Sequence, residues 1–105
     1  MRIVFILTLF ISFYACDKGY DLRFTNYYLE PIDSVRIDPA NIVFRNIEVK
    51  TTTEAQKIKK GDYTVNCVSK SKKHFNASFS IPGKGGGMRT IQIDGLGSIV
   101  VIEEN

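Results

Sequence analysis

Hydrophobic and polar residues alternate along most of the chain after residue 19. In "FNASFSI" (75–81) every second residue, beginning with Phe75, is apolar, and "YDLRF" (20–24) and "YTVNC" (63–67) repeat the pattern. A period of two is typical of a strand with one buried and one solvated face. The chain is therefore expected to consist largely of half-buried strands.

Turn-forming residues separate the alternating runs. Pro31, Pro39 and Gly61 stand between successive runs, and the glycine-rich segments 82–88 and 95–97 separate the last three. No run carries an apolar stripe at helical spacing. About seven short strands joined in this way predict an all-β fold, a single antiparallel β-sandwich over residues 20–105.

The run 42–49 departs from simple alternation. Ile42 and Phe44 share one parity, whereas Ile47 and Val49 share the other. Because a strand cannot bury both sets on one face, a bulge or bend is expected near Arg45 and Asn46.

The first fifteen residues differ in character from the rest. Met1 and Arg2 precede an apolar run from 3 to 13 that only Thr8 and Ser12 interrupt. A helix of about a dozen residues rises roughly 18 Å, short of the ~30 Å hydrocarbon core of a bilayer. A charged start followed by a short apolar stretch predicts a secretory signal peptide over residues 1–15.

The end of this segment resembles a bacterial lipobox. Ala15 supplies the small residue before Cys16, whereas Phe13 and Tyr14 depart from the usual Leu-like and small residues. The resemblance implies that Cys16 is diacylated on sulfur, becomes the new N-terminus and begins a short tether over 16–19. Two other interpretations stay open: a plain secretory signal that leaves Cys16 to pair with Cys67, or a cytoplasmic protein whose apolar run is a first strand.

This interpretation places the protein in the cell envelope, facing the periplasm or the cell surface, with the outer membrane favoured over the inner. The expected partners are the membrane, through the lipid on Cys16, and an envelope protein or glycan. The formal net charge of +3 is too small to indicate nucleic acid.

One segment in the middle of the chain resembles a known signature. "IKKGDYTV", with Ile58, Gly61, Tyr63 and Val65, is similar to the I/L-x-x-G-x-Y-x-V pattern of transthyretin-like and carboxypeptidase-regulatory-like modules. The resemblance implies that Gly61 makes a turn and that Tyr63 packs across the mouth of the sandwich. Immunoglobulin-like domains use a similar tyrosine corner, and the whole chain resembles the small lipoproteins of diderm bacteria that contain one sandwich.

Residues suited to catalysis are few, so no enzymatic activity, cofactor or metal is expected. His74 is the sole histidine and follows the basic turn 70–73, without a carboxylate nearby in sequence to orient it. Cys67 has no neighbouring His or second Cys and is expected to be a small buried hydrophobe. "GKGGG" (83–87) lacks the Ser or Thr and the helix of a phosphate-binding loop.

Two kinds of residue are candidates for a binding surface. The aromatic pair would stack on a sugar or a partner, or else plug the end of the sandwich. The lysines would contact anionic headgroups or glycans, or else form a solvated turn. The candidates are Tyr27, Tyr28, Lys70, Lys72, Lys73 and Lys84.

These features predict a non-catalytic binding or structural module that is anchored in the cell envelope by lipid. The alternative is an inhibitor or immunity protein held at the membrane against a toxin or hydrolase. Such a protein would expose one rigid loop, and "TNYYLEP" (25–31) and "PGKGGGM" (82–88) are the candidates.

Overall fold

The structure, a computed structural model, describes residues 19–83 and 85–104, and every helix or strand within them is a β-strand. The all-β prediction is confirmed, with eight strands in place of about seven. They are β1 (Tyr20–Asn26), β2 (Ile32–Asp38), β3 (Ile42–Ile47), β4 (Gln56–Ile58), β5 (Gly61–Ser69), β6 (His74–Ile81), β7 (Gly87–Ile93) and β8 (Ile99–Glu104).

The eight strands form two four-stranded sheets that pack as a sandwich. Their orders are β4-β1-β7-β8 and β3-β2-β5-β6. Neighbouring strands are antiparallel except β1 and β7, which run parallel and pair Tyr20 with Gly87 and Asn26 with Ile93. The prediction of a purely antiparallel sandwich is therefore wrong for this one pair. The arrangement is compatible with an immunoglobulin-like domain.

The core consists of the inward positions of both sheets. Burying each large apolar side chain stabilises the folded protein by about 1.5–3 kcal/mol. Strand β6 lies at a sheet edge, so its inward residues Phe75, Ala77 and Phe79 are only half-buried. The large apolar residues with no exposure are Leu22, Phe24, Ile32, Val35, Ile37, Val65, Ile91 and Ile93.

The irregularity predicted in 42–49 is located at Asn46. This residue has a φ of +53°, which interrupts the alternation of side chains along the strand. As a result, Ile47 is buried on the same face as Phe44 although the two have opposite parity in sequence. On the neighbouring strand, the register of β2 against β5 shifts between Ile32 and Ser34. Ile32 pairs with Ile47, so both strands change parity at the same level of the sheet.

One buried polar side chain links the two sheets. Asn26, at the end of β1, has no exposed surface. Its Nδ2 donates to the carbonyl of Ile47 at 3.0 Å and to that of Glu30 at 3.1 Å, and its Oδ1 accepts the N–H of Tyr28 at 2.8 Å. Because Ile47 belongs to the opposite sheet, Asn26 joins the ends of β1 and β3.

The sandwich has two distinct ends. At the Gly19 end, β1 and β7 begin, β4 terminates at Ile58, and β5 starts at Gly61 opposite the last residue of β6. At the Asn26 end lie the β1–β2 loop (27–31), the β5–β6 turn (70–73) and the β7–β8 turn (94–98). Tyr27 N–H bonds to the carbonyl of Ile93, and Lys70 N–H to that of Pro31.

Replacing Asn26 should destabilise the sandwich strongly. Asn26→Ala leaves two carbonyls and one N–H without their partner, and we expect the free energy of unfolding to fall by about 3 kcal/mol or more in urea denaturation. Asn76→Ala is the matched control, because the Asn76 amide is exposed and bonds only to Asn66 Oδ1 at 3.2 Å. The control should lose about 0.5 kcal/mol or less. Equal losses in the two variants would contradict this role of Asn26.

Candidate functional site

Several predicted features lie outside the described residues. They are the signal peptide (1–15), Cys16 with the tether residues 17 and 18, and Lys84. Within 19–83 and 85–104, no helix is long and apolar enough to cross a membrane. The described part of the tether is Gly19, which leads directly into β1.

The two tyrosines of the β1–β2 loop do not form an exposed pair. Tyr27 is 51% exposed, whereas Tyr28 is 7% exposed and packs edge-on against Phe75 with ring centroids 5.0 Å apart. The hydrogen bond from Tyr28 N–H to Asn26 Oδ1 turns the chain as it leaves β1, and the Tyr28 ring closes the sandwich end. Tyr28 therefore plugs the end of the sandwich, whereas Tyr27 stays exposed.

Two leucines join Tyr27 on the surface of the Asn26 end. Leu29 is 78% exposed and Leu96 is 92% exposed. A Cβ placed on Gly95 would lie 3.8 Å from Leu29 Cδ2, so the β1–β2 loop and the β7–β8 turn are in contact. We refer to Tyr27, Leu29 and Leu96 as the distal tip. Sequence reasoning named the loop 25–31, which contains Leu29, but identified neither leucine as a contact residue; for Leu96 the available signal was its position between Gly95 and Gly97.

Hydrogen bonds hold the loops of the distal tip in place. Asp94 Oδ1 accepts the N–H groups of Leu96 and Ser98, each at 2.9 Å. Gly97 has a φ of +90°, and a Cβ there would meet Phe75 Cε1 at 2.5 Å, so only glycine fits. A surface whose backbone is already ordered loses less conformational entropy on binding.

The basic turn 70–73 also lies at the Asn26 end, and carboxylates partly neutralise it. Lys72 Nζ bonds to Asp33 Oδ2 at 2.8 Å. Glu30 accepts hydrogen bonds from the N–H and hydroxyl of Ser71, at 3.2 and 2.5 Å. The hydroxyl of Ser71, followed by that of Ser69, lowers the pKa of Glu30 below its ordinary value. The fold thus brings two acidic groups, distant in sequence, to the lysine cluster.

The fold does not bring Asp62 to His74, the sole histidine in the sequence. His74 pairs with Val68, while Asp62 lies six residues earlier on β5, a separation of about 20 Å along the strand. Asp33 binds Lys72, and Asp94 caps the β7–β8 turn. In the part of the chain that the structure describes, no three His, Cys, Asp or Glu side chains are placed to hold a metal ion.

Two concave regions lie at the Gly19 end, and sequence reasoning identified neither. The larger is a shallow groove of about 510 Å³. The smaller, of about 260 Å³, is lined by Ile42, Ile58 and Tyr63 together with the stems of two lysines, Lys57 and Lys59. Residues that line the larger groove are Asp38, Pro39, Asp62, Tyr63, Thr64, Ser78, Phe79 and Ser80.

The turn before β5 has the geometry that the signature implied. Gly61 has a φ of +148°, and a Cβ there would lie 3.3 Å from the Tyr63 hydroxyl. Tyr63 is buried, stacks on Phe79 with centroids 5.5 Å apart, and donates its hydroxyl to the carbonyl of Lys59 at 2.7 Å. A tyrosine that bonds back to the backbone a few residues upstream is the arrangement of a tyrosine corner.

Cys67 is a buried hydrophobe, as expected. Its side chain is 1% exposed on β5 and pairs across the sheet with Phe75. Burial raises the pKa of this thiol to about 12. The reactive thiolate is therefore scarce at neutral pH.

The raised pKa of Cys67 gives the stability a dependence on alkaline pH. Since the ordinary pKa is 9.0, the unfolded thiol ionises before the folded one, and the contribution is full below pH 9 and lost as pH rises toward 12. The test compares Cys16→Ser with the double variant Cys16→Ser, Cys67→Ala between pH 9 and 12. In the protein that keeps Cys67, we expect the free energy of unfolding to fall more steeply with pH, by up to ~1.4 kcal/mol per pH unit. If the free energy of unfolding falls equally with pH in both variants, the pKa of the Cys67 thiol is not raised in the folded protein.

Comparison with known proteins offers no relative from which a function could be transferred. No protein-family model, curated protein or solved structure matches this chain. The features that bear on its function are its own: the N-terminal segment, the distal tip and the two ends of the sandwich.

Proposed function

We propose that this protein is a non-catalytic module of the cell envelope, anchored by lipid on Cys16, which binds another envelope protein through the distal tip. The anchor is supported by the charged and apolar segment 1–15 and by the Ala15-Cys16 pair at its end. Since β1 begins at Tyr20, the sandwich follows the anchor after a very short tether.

The placement of the distal tip carries this proposal. Strand β1 runs from Tyr20 to Asn26, about 20 Å, and so separates the tip from the point where the tether enters. The tip therefore lies away from a membrane that holds Cys16. An anchored module that displays ordered apolar side chains at its far end is suited to meet a partner there.

The chemistry of the tip favours a protein over a glycan. Leu29 and Leu96 offer no hydrogen bond to a sugar hydroxyl, and with Tyr28 buried, Tyr27 is the one exposed ring of the pair. Clustered apolar side chains at the surface are typical of sites that bind proteins. Tyr63 and Gly61 further support assigning the sandwich to the transthyretin-like kind, as their signature implied.

A second candidate function is inhibition of a toxin or hydrolase at the membrane. The observation that favours it is the rigidity of the β1–β2 loop, which Asn26 holds through Tyr28 and Glu30. An inhibitor needs one exposed loop of this kind, and Tyr27 and Leu29 would be its contact residues.

Removing the proposed acylation site should release the protein. In the form of the protein from which residues 1–15 have been removed, we expect Cys16→Ser to lack the mass of the acyl chains and to leave the detergent phase for the aqueous phase. Residues 17–19, which join position 16 to the sandwich, carry no apolar side chain that could replace the lipid. Mass spectrometry and detergent phase separation measure the two effects. If parent and variant partition identically, the anchor is wrong.

The tip is tested by site-specific photo-crosslinking in cells. A photoreactive amino acid at Leu29 or Leu96 should give an adduct with a discrete protein, identified by mass spectrometry, that the same group at Val100 does not give. Val100 is the matched control, since it is 53% exposed and apolar but lies on β8.

The identity of the adduct separates the two candidates. A member of a multi-component envelope complex supports the binding module, and a single toxin or hydrolase supports the inhibitor. Adducts with lipid, equal labelling from position 100, or no adduct at either leucine would contradict a protein-binding tip.

A further inference from the structure

We propose that the Gly19 end of the sandwich rests against an anionic membrane surface, with Lys57, Lys59 and Lys60 facing the phosphates of the lipid headgroups. This inference rests on the proposed anchor at Cys16 and adds the orientation of the domain and the residues in contact. It moves the membrane contact away from the basic turn 70–73, where the sequence alone had suggested it.

Covalent geometry places the Gly19 end close to the anchor. Three peptide links separate Cys16 from Gly19, so the two Cα atoms lie within about 11 Å. Gly19 is adjacent to β4, since a Cβ on it would lie 3.7 Å from the carbonyl oxygen of Ile58. Residues 59 and 60 follow Ile58 directly and join β4 to β5. The point where the tether enters the domain and the Lys59–Lys60 connection are thus neighbours.

Two of the three lysines at this end have charge available for a ligand. Lys59 and Lys60 are exposed, and no carboxylate of the described residues lies within ion-pair distance of either. Lys57 is also exposed, and its Nζ forms an ion pair with Asp21 Oδ1 at 3.1 Å. Near an anionic surface, each lysine adds roughly a fivefold preference for that surface.

Two acidic groups at the same end are paired with arginines. Glu104 bonds to Arg23 at 2.7 Å, and Asp38 to Arg36 at 3.1 Å. Asp62 accepts the hydroxyl of Ser80 at 2.6 Å. The two arginine pairs limit the repulsion between this end and lipid phosphates, whereas the bond from Ser80 to Asp62 brings no positive charge.

The basic turn 70–73 cannot contact the same membrane in this orientation. It follows Ser69, and β5 from Gly61 to Ser69 spans about 26 Å. A tether of about 11 Å does not cover that distance. In addition, Lys72 is engaged by Asp33, so this cluster offers less free charge than its sequence suggests.

The orientation is tested on the full, acylated protein in vesicles of phosphatidylcholine with phosphatidylglycerol. Spin labels are attached to Asp62→Cys at the Gly19 end and to Leu96→Cys at the distal tip. Cys67 does not compete for the label, because it is buried and its thiol is protonated. A water-soluble nickel chelate should relax the label at 62 severalfold less than the label at 96, since headgroups shield the former.

Two charge-matched triple variants test the contact residues. Lys57→Gln, Lys59→Gln and Lys60→Gln together should remove the extra shielding of the label at 62 that phosphatidylglycerol produces over pure phosphatidylcholine. The matched control, Lys70→Gln, Lys72→Gln and Lys73→Gln, should leave that shielding unchanged.

Three results would contradict the proposals, each a different part of them. Equal relaxation at 62 and 96 means that the sandwich lies flat or stands clear of the surface, and overturns the orientation. Loss of shielding in the control triple instead of the first triple overturns the contact residues. Absence of acyl mass on the purified protein refutes the anchor itself, and so distinguishes failure of the proposed function from failure of this inference.

Discussion

The buried amide of Asn26 is the interaction on which the far end of the molecule depends. A polar side chain without contact with water must satisfy its hydrogen bonds inside the protein. Asn26 does so with Ile47 on the opposite sheet and with Tyr28 and Glu30 in the following loop. The same residue therefore sets how β1 approaches β3 and how the chain turns into β2. Removing it affects the sandwich and the loop together.

The two ends of the sandwich have different properties, and this constraint acts on only one of them. At the Asn26 end the loops are bonded to one another, so Tyr27 and the two exposed leucines stand on an ordered backbone. At the Gly19 end two lysines carry charge that no described carboxylate compensates. Because β1 runs directly between the ends, a chain anchored at Cys16 would present basic groups to the lipid and apolar groups to a partner.

Local sequence was a good guide where one strand decides the outcome. The alternation in 75–81 predicted β6, the change of parity in 42–49 predicted the irregularity at Asn46, and the signature around Gly61 predicted the burial of Tyr63. It was a poor guide to the candidate site. Leu29 and Leu96 are 67 positions apart, and they lie at the same end of the sandwich only because the β1–β2 loop and the β7–β8 turn meet there.

The sequence by itself determined that the chain forms strands, which faces of them are buried, and where turns interrupt them, since these depend on side-chain periodicity and backbone preference within a few residues. Only the tertiary structure decided the parallel pairing of β1 with β7 and the compensation of the basic turn by Glu30 and Asp33. Strand order and charge pairing depend on contacts between distant segments. For that reason the sequence could show neither the pairing of Lys72 with Asp33 nor the position of Lys59 and Lys60 beside the point where the tether enters.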